Sequence, residues 1–401
     1  MTLLNKIKKY SWIVKSLLHL PWSVKKDALT TLLTAHKKYL PDTESHADVE
    51  DILKCALCPN MCRFDCPVLD CVKSETTSPA GKARIAYLYE MDRFKSRDAV
   101  NLMYACAGCG ACLQWCPFGF CVEDLLHGVR RDIVDENQYI PPPLEELRET
   151  MVTYHTIFEQ GCTSLHRQYG EGDTLYFAGC IALNQTKEIP AAVLTILEKA
   201  GIEYATLPEE WCCGAPLLMA GFFNEFSEFA LHNKDVLSPF NRIVCSCPTC
   251  VYLFREIYPS MGVTLNTPVL HITEFLLDCV AEGLLSMKEG KKDYVYHDPC
   301  ILSRRLDILK APRTLLTSIP GIRLHESQFS GKETRCCGMG GLLSVTHPSI
   351  SFEMGQKRLS QLEKKATHII TACPACKVSF TRVGAVNVAD ISEVISESVI
   401  D

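Results

Sequence analysis

Residues 106–117 read Cys106-Ala-Gly-Cys109-Gly-Ala-Cys112-Leu-Gln-Trp-Cys116-Pro117. Four thiols closed by Cys-Pro, at spacings x2, x2 and x3, form the run that wraps a four-iron cluster. The crowding has a geometric cause. A cubane offers several iron corners within a few ångströms, so one tight loop supplies three thiolates and a second segment must supply the fourth. A zinc ion asks instead for four tetrahedral ligands, usually from two separated pairs.

The second segment lies upstream, as Cys55-x2-Cys58-x3-Cys62-x3-Cys66-Pro67. It is one residue longer between its second and third cysteines, and Asn60 is placed to absorb the insertion with a left-handed kink. As in bacterial ferredoxins, the two groups predict a crossed pair of [4Fe-4S] cubane clusters. Cys55, Cys58 and Cys62 join Cys116; Cys106, Cys109 and Cys112 join Cys66. Cys71 is near enough in sequence to replace a ligand, and a zinc site at the first group is the alternative.

Downstream, one pattern occurs twice. Cys180, Cys212-Cys213-Gly214 and Cys247-Pro248-Thr249-Cys250 are matched by Cys300, Cys336-Cys337-Gly338 and Cys373-Pro374-Ala375-Cys376. The surrounding texture is βαβ. Strands are expected at 173–178, 202–207 and 242–245, then at 294–297, 322–325 and 367–371. Helices are expected at 190–200 and 312–319, each opening on a proline and followed by Gly-Ile. Repetition at this scale means two homologous modules. The predicted fold class is α/β: an N-terminal helical ferredoxin-like dicluster domain followed by two repeated modules. Expected boundaries are 1–45 for a basic amphipathic helical segment, 46–135 for the dicluster domain, 136–171 for a linker marked by Pro141-Pro142-Pro143, 172–290 for the first module and 291–401 for the second.

The doubled motif resembles the CCG domain of the heterodisulfide-reductase family. With the ferredoxin-like front end, residues 50–401 are similar to the D-type subunit of heterodisulfide reductase. They also resemble the iron–sulfur subunits of anaerobic glycerol-3-phosphate dehydrogenase and glycolate oxidase. The resemblance implies up to two further [4Fe-4S] clusters, cubane or noncubane. One would sit on Cys180, Cys212, Cys213, Cys247 and Cys250, the other on Cys300, Cys336, Cys337, Cys373 and Cys376. A thioredoxin-like pair at each Cys-Pro-x-Cys would leave the double and lone cysteines unexplained.

The rest of the sequence fits a redox role. The chain has 401 residues, 23 cysteines and a net charge of −6. That charge predicts no nucleic-acid partner. No signal-peptide cleavage site or long apolar run is present, so reduced thiols and a cytoplasmic setting are expected. Residues 1–40 carry eight lysines and one acid, with Leu3, Ile7, Tyr10, Val14 and Leu17 on one helical face. Such a helix docks on a protein or lies on a membrane surface.

Five cysteines stand outside the motifs. Cys245 and Cys279 are expected in the core, Cys71 and Cys121 as packing, and Cys162 has no assigned role. His297 is a candidate proton relay, against the plainer reading of a strand-end histidine held by local hydrogen bonds. Arg304, Arg305 and Arg335 either balance cluster charge or are solvated. No phosphate-binding loop, flavin or nicotinamide motif occurs. The expectation is an iron–sulfur electron-transfer subunit of a multi-subunit oxidoreductase. Its partner would be a flavoprotein dehydrogenase or other redox subunit, with a membrane quinone-type acceptor subunit as a further partner. A catalytic disulfide reductase with noncubane clusters is the alternative, and a zinc-stabilised binding module a distant one.

Overall fold

The computed structural model describes residues 21–26, 30, 39–41, 44–161, 165 and 172–400. The basic helix expected over the first twenty residues lies outside them. Further along that expected helical segment, residues 22–26 and Thr30 are helical, and residues 39–40 form a bend.

Two four-stranded parallel sheets form the C-terminal body. The first contains β1 (Thr174–Phe177), β2 (Tyr204–Ala205), β3 (Arg242–Cys245) and β4 (Val269–His271) in the order β2-β1-β3-β4. The second contains β5 (Asp293–His297), β6 (Arg323–Glu326), β7 (His368–Thr371) and β8 (Val388–Asp390) in the order β6-β5-β7-β8. Strands such as Thr-Leu-Tyr-Phe and His-Ile-Ile-Thr are apolar on both faces, as sheets covered by helices on two sides require. In each sheet the order reverses beside the first strand, which opens a crevice at the carboxyl ends of β1 and β3, and of β5 and β7. The sheets share a core in which Tyr176 and Val244 of the first meet Tyr296 and Ile370 of the second.

The differences from expectation are local. β2 is two residues long, and the edge strands β4 and β8 were not expected. Both lead into helices with capping boxes, His271 with Glu274 and Asp390 with Glu393, which fix the chain direction after the strand. The helices Glu188–Lys199 and Lys310–Thr317 start two residues ahead of Pro190 and Pro312, so each proline sits in the first turn and not at its opening. The segment expected as a linker holds the helix Pro142–Tyr154. Prolines suit a first turn, and Leu144 and Met151 supply two fully buried anchors.

The dicluster segment is helical and packs against both modules. Arg130, fully buried at the centre of helix Val122–Asp135, donates to Met103 O at 2.8 Å and to Met219 O at 2.8 Å. Tyr104 donates to Ala220 O at 2.9 Å. Three main-chain carbonyls of two segments are thereby satisfied by two side chains, and the segment is fixed on the first module.

Candidate metal centres

Cys55, Cys58, Cys62 and Cys116 line one cavity of about 300 Å³, together with Cys112. The short helix Met61–Asp65 begins after Asn60, whose φ of 64° is left-handed. Its amide donates to Glu75 Oε1 at 2.9 Å and Ser78 Oγ at 3.0 Å, which holds the extra residue in place. Burial pushes the Cys55 and Cys62 thiols up to about 12, and neighbouring thiols add to the rise. Such a group gives up its protons readily only to a cation.

Cys66, Cys106, Cys109 and Cys112 line a second, smaller cavity, with Cys121 at its wall. Gly108 and Gly110 take positive φ there, 59° and 66°, so the loop can curl its thiols inward. Lys82, 1% exposed, also lines this cavity and lowers the Cys106 pKa against the larger effect of burial. Cys109 reaches out of the set. A hydrogen bond with Cys336 pulls it down to about 6, while Cys336 is raised by the same bond and then by Cys300 and Cys337.

In the first module the thiols form a chain. Cys180 Sγ and Cys212 Sγ are 3.7 Å apart; Cys212 interacts with Cys213, Cys213 with Cys250, and Cys250 with Cys247. Cys180 follows β1 and Cys247 follows β3, so both stand at the crevice. Gly179, with φ 89°, brings the backbone against them; a Cβ there would lie 3.4 Å from Cys247 Cβ. Glu210 is buried beneath, accepts from the amides of Ala178 (2.9 Å) and Gly179 (2.6 Å), and is pushed up to about 8 by burial.

The second module repeats the chain. Cys337 Sγ and Cys376 Sγ are 3.3 Å apart, Cys336 meets Cys300 and Cys337, and Cys376 meets Cys373. One His297 ring nitrogen lies with Cys337 and Cys376 in a group whose ligand atoms are all within 4.8 Å. Arg358 Nε donates to His297 Nδ1 at 3.1 Å. The ring proton therefore sits on Nε2, which is buried and makes no hydrogen bond by distance and angle. Cys373 and Cys247 sense each other's charge across the two modules.

All described cysteines are free. Unbonded thiols 3.7 Å apart in the first CCG set and 3.3 Å apart in the second, and two cavities each lined by a group of dicluster thiols, fit iron–sulfur cores. The Nε2 N–H of His297, directed at Cys337, fits the same need, because a cluster sulfur accepts such a proton. Cys245 and Cys279 are buried core residues, as expected. Cys121 packs against Cys112, and Cys71 lies beside Lys357, Glu353 and Asp70 in a cavity that Cys336 also lines. Cys162 lies outside the described residues.

The three arginines are neither simple cluster counterions nor solvated. Arg304 donates to Cys109 O at 2.7 Å, Arg305 grips Asp124 with two bonds of 2.9 and 2.7 Å, and Arg335 pairs with Asp65 at 2.7 Å. Each joins the second module to the dicluster segment. Lys82, Glu210 and Arg358 were missed from the sequence. Each sits within an ordinary helix or turn, and no motif spacing marks it.

Models of known families match the same regions: a 4Fe-4S dicluster domain at residues 51–120, and the cysteine-rich CCG domain at residues 174–255 and 294–381. The fold and the grouped thiols thus define an iron–sulfur electron-transfer protein. The chain is one of those that join a dicluster domain to two CCG domains. Similar proteins include the D subunit of the dihydromethanophenazine:CoB–CoM heterodisulfide reductase of Methanosarcina barkeri, 29% identical over 72% of this chain and 73% of that one. The B subunit of the fumarate reductase (CoM/CoB) of Methanothermobacter marburgensis is 28% identical over 84% of this chain and 68% of its own length. Lactate utilization protein A of Lysinibacillus sphaericus is 28% identical over 48% and 87%. In fold, the chain is similar to a hypothetical protein from Helicobacter pylori, with a TM-score of 0.50 at 9% identity over 98% of this chain and 75% of that one.

Proposed function

We propose that the chain is the electron-transferring subunit of a multi-subunit reductase. It would carry two [4Fe-4S] cubanes on the crossed sets and one further [4Fe-4S] cluster, cubane or noncubane, in each CCG module. The grouping of eighteen free thiols into four sets carries this reading. When bound, such clusters accept and release single electrons. The chain's own residues enclose the thiols, set their spacing and place the charge of Lys82 beside the Cys106 set.

The order of the sets supports a single line. Cys112 borders both dicluster cavities, Cys109 touches Cys336, and Cys373 is within reach of the charge of Cys247. Electrons would pass from the Cys55 set to the Cys106 set, then to the second module and the first, or back. Either end would exchange with a partner, a flavoprotein dehydrogenase or another redox subunit; a quinone-type acceptor at a membrane is a further partner. No helix among the described residues is long and apolar enough to cross a membrane. Protein purified without oxygen should contain about sixteen iron atoms per chain and become paramagnetic on reduction. A colourless protein loaded with zinc contradicts the proposal.

The charge of Cys247 acts on Cys373 across the two modules, which favours a second reading, in which the paired CCG modules split a disulfide with two electrons. Reoxidation of the reduced protein by a disulfide supports it. Absence of reoxidation leaves electron transfer alone.

A further inference from the structure

The two CCG modules share one topology, yet the groups around their thiols differ consistently. Phe177 and His297 occupy the same place: each lies three residues before the lone cysteine, and their strand partners Cys245 and Thr371 each lie two before the Cys-Pro motif. Glu210 corresponds to Thr334, and Trp211 to Arg335, each pair counted back from the double cysteine. Asn233 and Arg358, both 1% exposed, are the eleventh residues of the helices Phe223–Leu237 and Pro348–Glu363. Three of these replacements, Glu210 by Thr334, Trp211 by Arg335 and Asn233 by Arg358, make the second site more positive or less acidic.

Trp211 stands next to Cys212 at the first site. Its ring is stacked between those of His155, at 3.5 Å, and His232, at 3.7 Å, and leans on Phe229. Where the second module has Arg335, a cavity of about 240 Å³ opens between helix Pro67–Val72 and helix Pro348–Glu363 and reaches Cys336. Arg335, Lys357, Arg358 and Gln361 line it, and one carboxylate, Asp70, does too. Arg335 is paired with Asp65, and Lys357 with Asp70 and Glu353. Arg358 is different. Its hydrogen bonds go to His297 Nδ1, Ser327 Oγ, Gln361 Oε1 and Phe329 O, all neutral, at 3.0–3.2 Å. A buried guanidinium with only neutral acceptors leaves a positive charge for the cavity, and its planar fork suits a carboxylate. Phe64 and Phe329 give the cavity apolar walls, as a small-molecule site needs.

We propose that this cavity binds a small organic carboxylate against the second CCG site, and that the two modules divide their labour. The second is open and meets the small molecule; the first, with Trp211 in place of Arg335, is a relay. This deepens the electron-transfer reading, and the cavity can be tested without it. Equilibrium dialysis of radiolabelled malonate against the anaerobically purified protein should give saturable binding of one equivalent. Malonamide, of the same shape but uncharged, should not compete. Lys357→Gln and Arg335→Gln should each weaken binding at least tenfold while keeping the iron content of the wild type. Lys357 also bonds Asp70 across the same two segments, so Lys357→Arg, which keeps the charge and that bond, should bind malonate as the wild type does; loss of binding in Lys357→Arg as well would overturn the proposal. Absence of saturable binding, equal competition by malonamide, or undiminished binding in both glutamine variants overturns the proposal. Iron analysis of the same samples reports separately on whether clusters are present.

Discussion

Arg358 donates from Nε to His297 Nδ1 at 3.1 Å, and this pair turns the histidine's remaining N–H toward the second module's thiols. The first module has Asn233 and Phe177 in those places. A fixed positive charge and an N–H donor both favour the reduced state of a cluster, so the second site should hold electrons more tightly. In an electron-paramagnetic-resonance redox titration, Arg358→Gln should lower the midpoint potential of one CCG signal. A tenfold change in the reduction equilibrium corresponds to about 59 mV for one electron. His297→Phe should act in the same direction. A potential that stays or rises contradicts the assignment.

The crossed ligand sets make a separate prediction. Cys116→Ser should remove the centre built on Cys55, Cys58 and Cys62, while Cys66→Ser should remove the one built on Cys106, Cys109 and Cys112. Cys71→Ser should keep full iron content, because Cys71 lines neither dicluster cavity and lies beside Lys357 and Glu353. Iron analysis with spectra of each variant checks this. Loss of a cluster in Cys71→Ser, with none in Cys66→Ser, would mean that Cys71 is the ligand.

Gly338 adopts φ 94°, and a Cβ there would lie 2.5 Å from Ser351 O. Gly201, at φ 64°, has nothing within 4 Å of the same position. Left-handed geometry alone costs a side chain about 1–2 kcal/mol. Gly201→Ala should therefore show only that cost, while Gly338→Ala adds a backbone clash and should lose iron from the second module first. Thermal unfolding and iron retention during mild chelation distinguish the two. Equal behaviour would count against a tightly packed second site.

Ser45 Oγ bonds both Glu90 Oε2 and Asp132 Oδ2 at 2.8 Å. Burial raises Glu90 from 4.5 to about 7, with Asp132 and Glu136 adding and Ser45 and Lys95 opposing. A carboxyl raised in the folded state favours folding while it is protonated. That contribution is complete below pH 4.5 and is lost as the pH climbs to about 7. The loss is on the order of 3 kcal/mol at most, at about 1.36 kcal/mol per pH unit. Glu90→Gln should flatten the melting temperature between pH 4.5 and about 7. An unchanged slope would place the titration elsewhere.

Much of this was legible because chemistry constrained the spacing. Four thiols on one cluster must crowd, so the dicluster groups and the CCG repeats stood out, and strands such as 242–245 announced themselves by continuous apolar runs. Asn60 could be assigned a left-handed kink because one residue had to be absorbed. The helix Pro142–Tyr154 was hidden because three prolines mark turns as often as first turns. β4 and β8 are three residues each, too short for a pattern. Arg358 and Glu210 were invisible for a different reason. Their roles arise from long-range packing that brings a helix interior and a turn beneath the thiols. The arginines of the second module were visible as charges, but their partners Cys109, Asp124 and Asp65 lie about 180 or more residues away in the chain.

The most direct test of the account is anomalous diffraction from anaerobically grown crystals at the iron edge. Iron density should appear at four places: within Cys55, Cys58, Cys62 and Cys116; within Cys66, Cys106, Cys109 and Cys112; and within the five-thiol set of each CCG module. Zinc at these positions, or thiol sets without anomalous signal in protein that retained its metal, would contradict it.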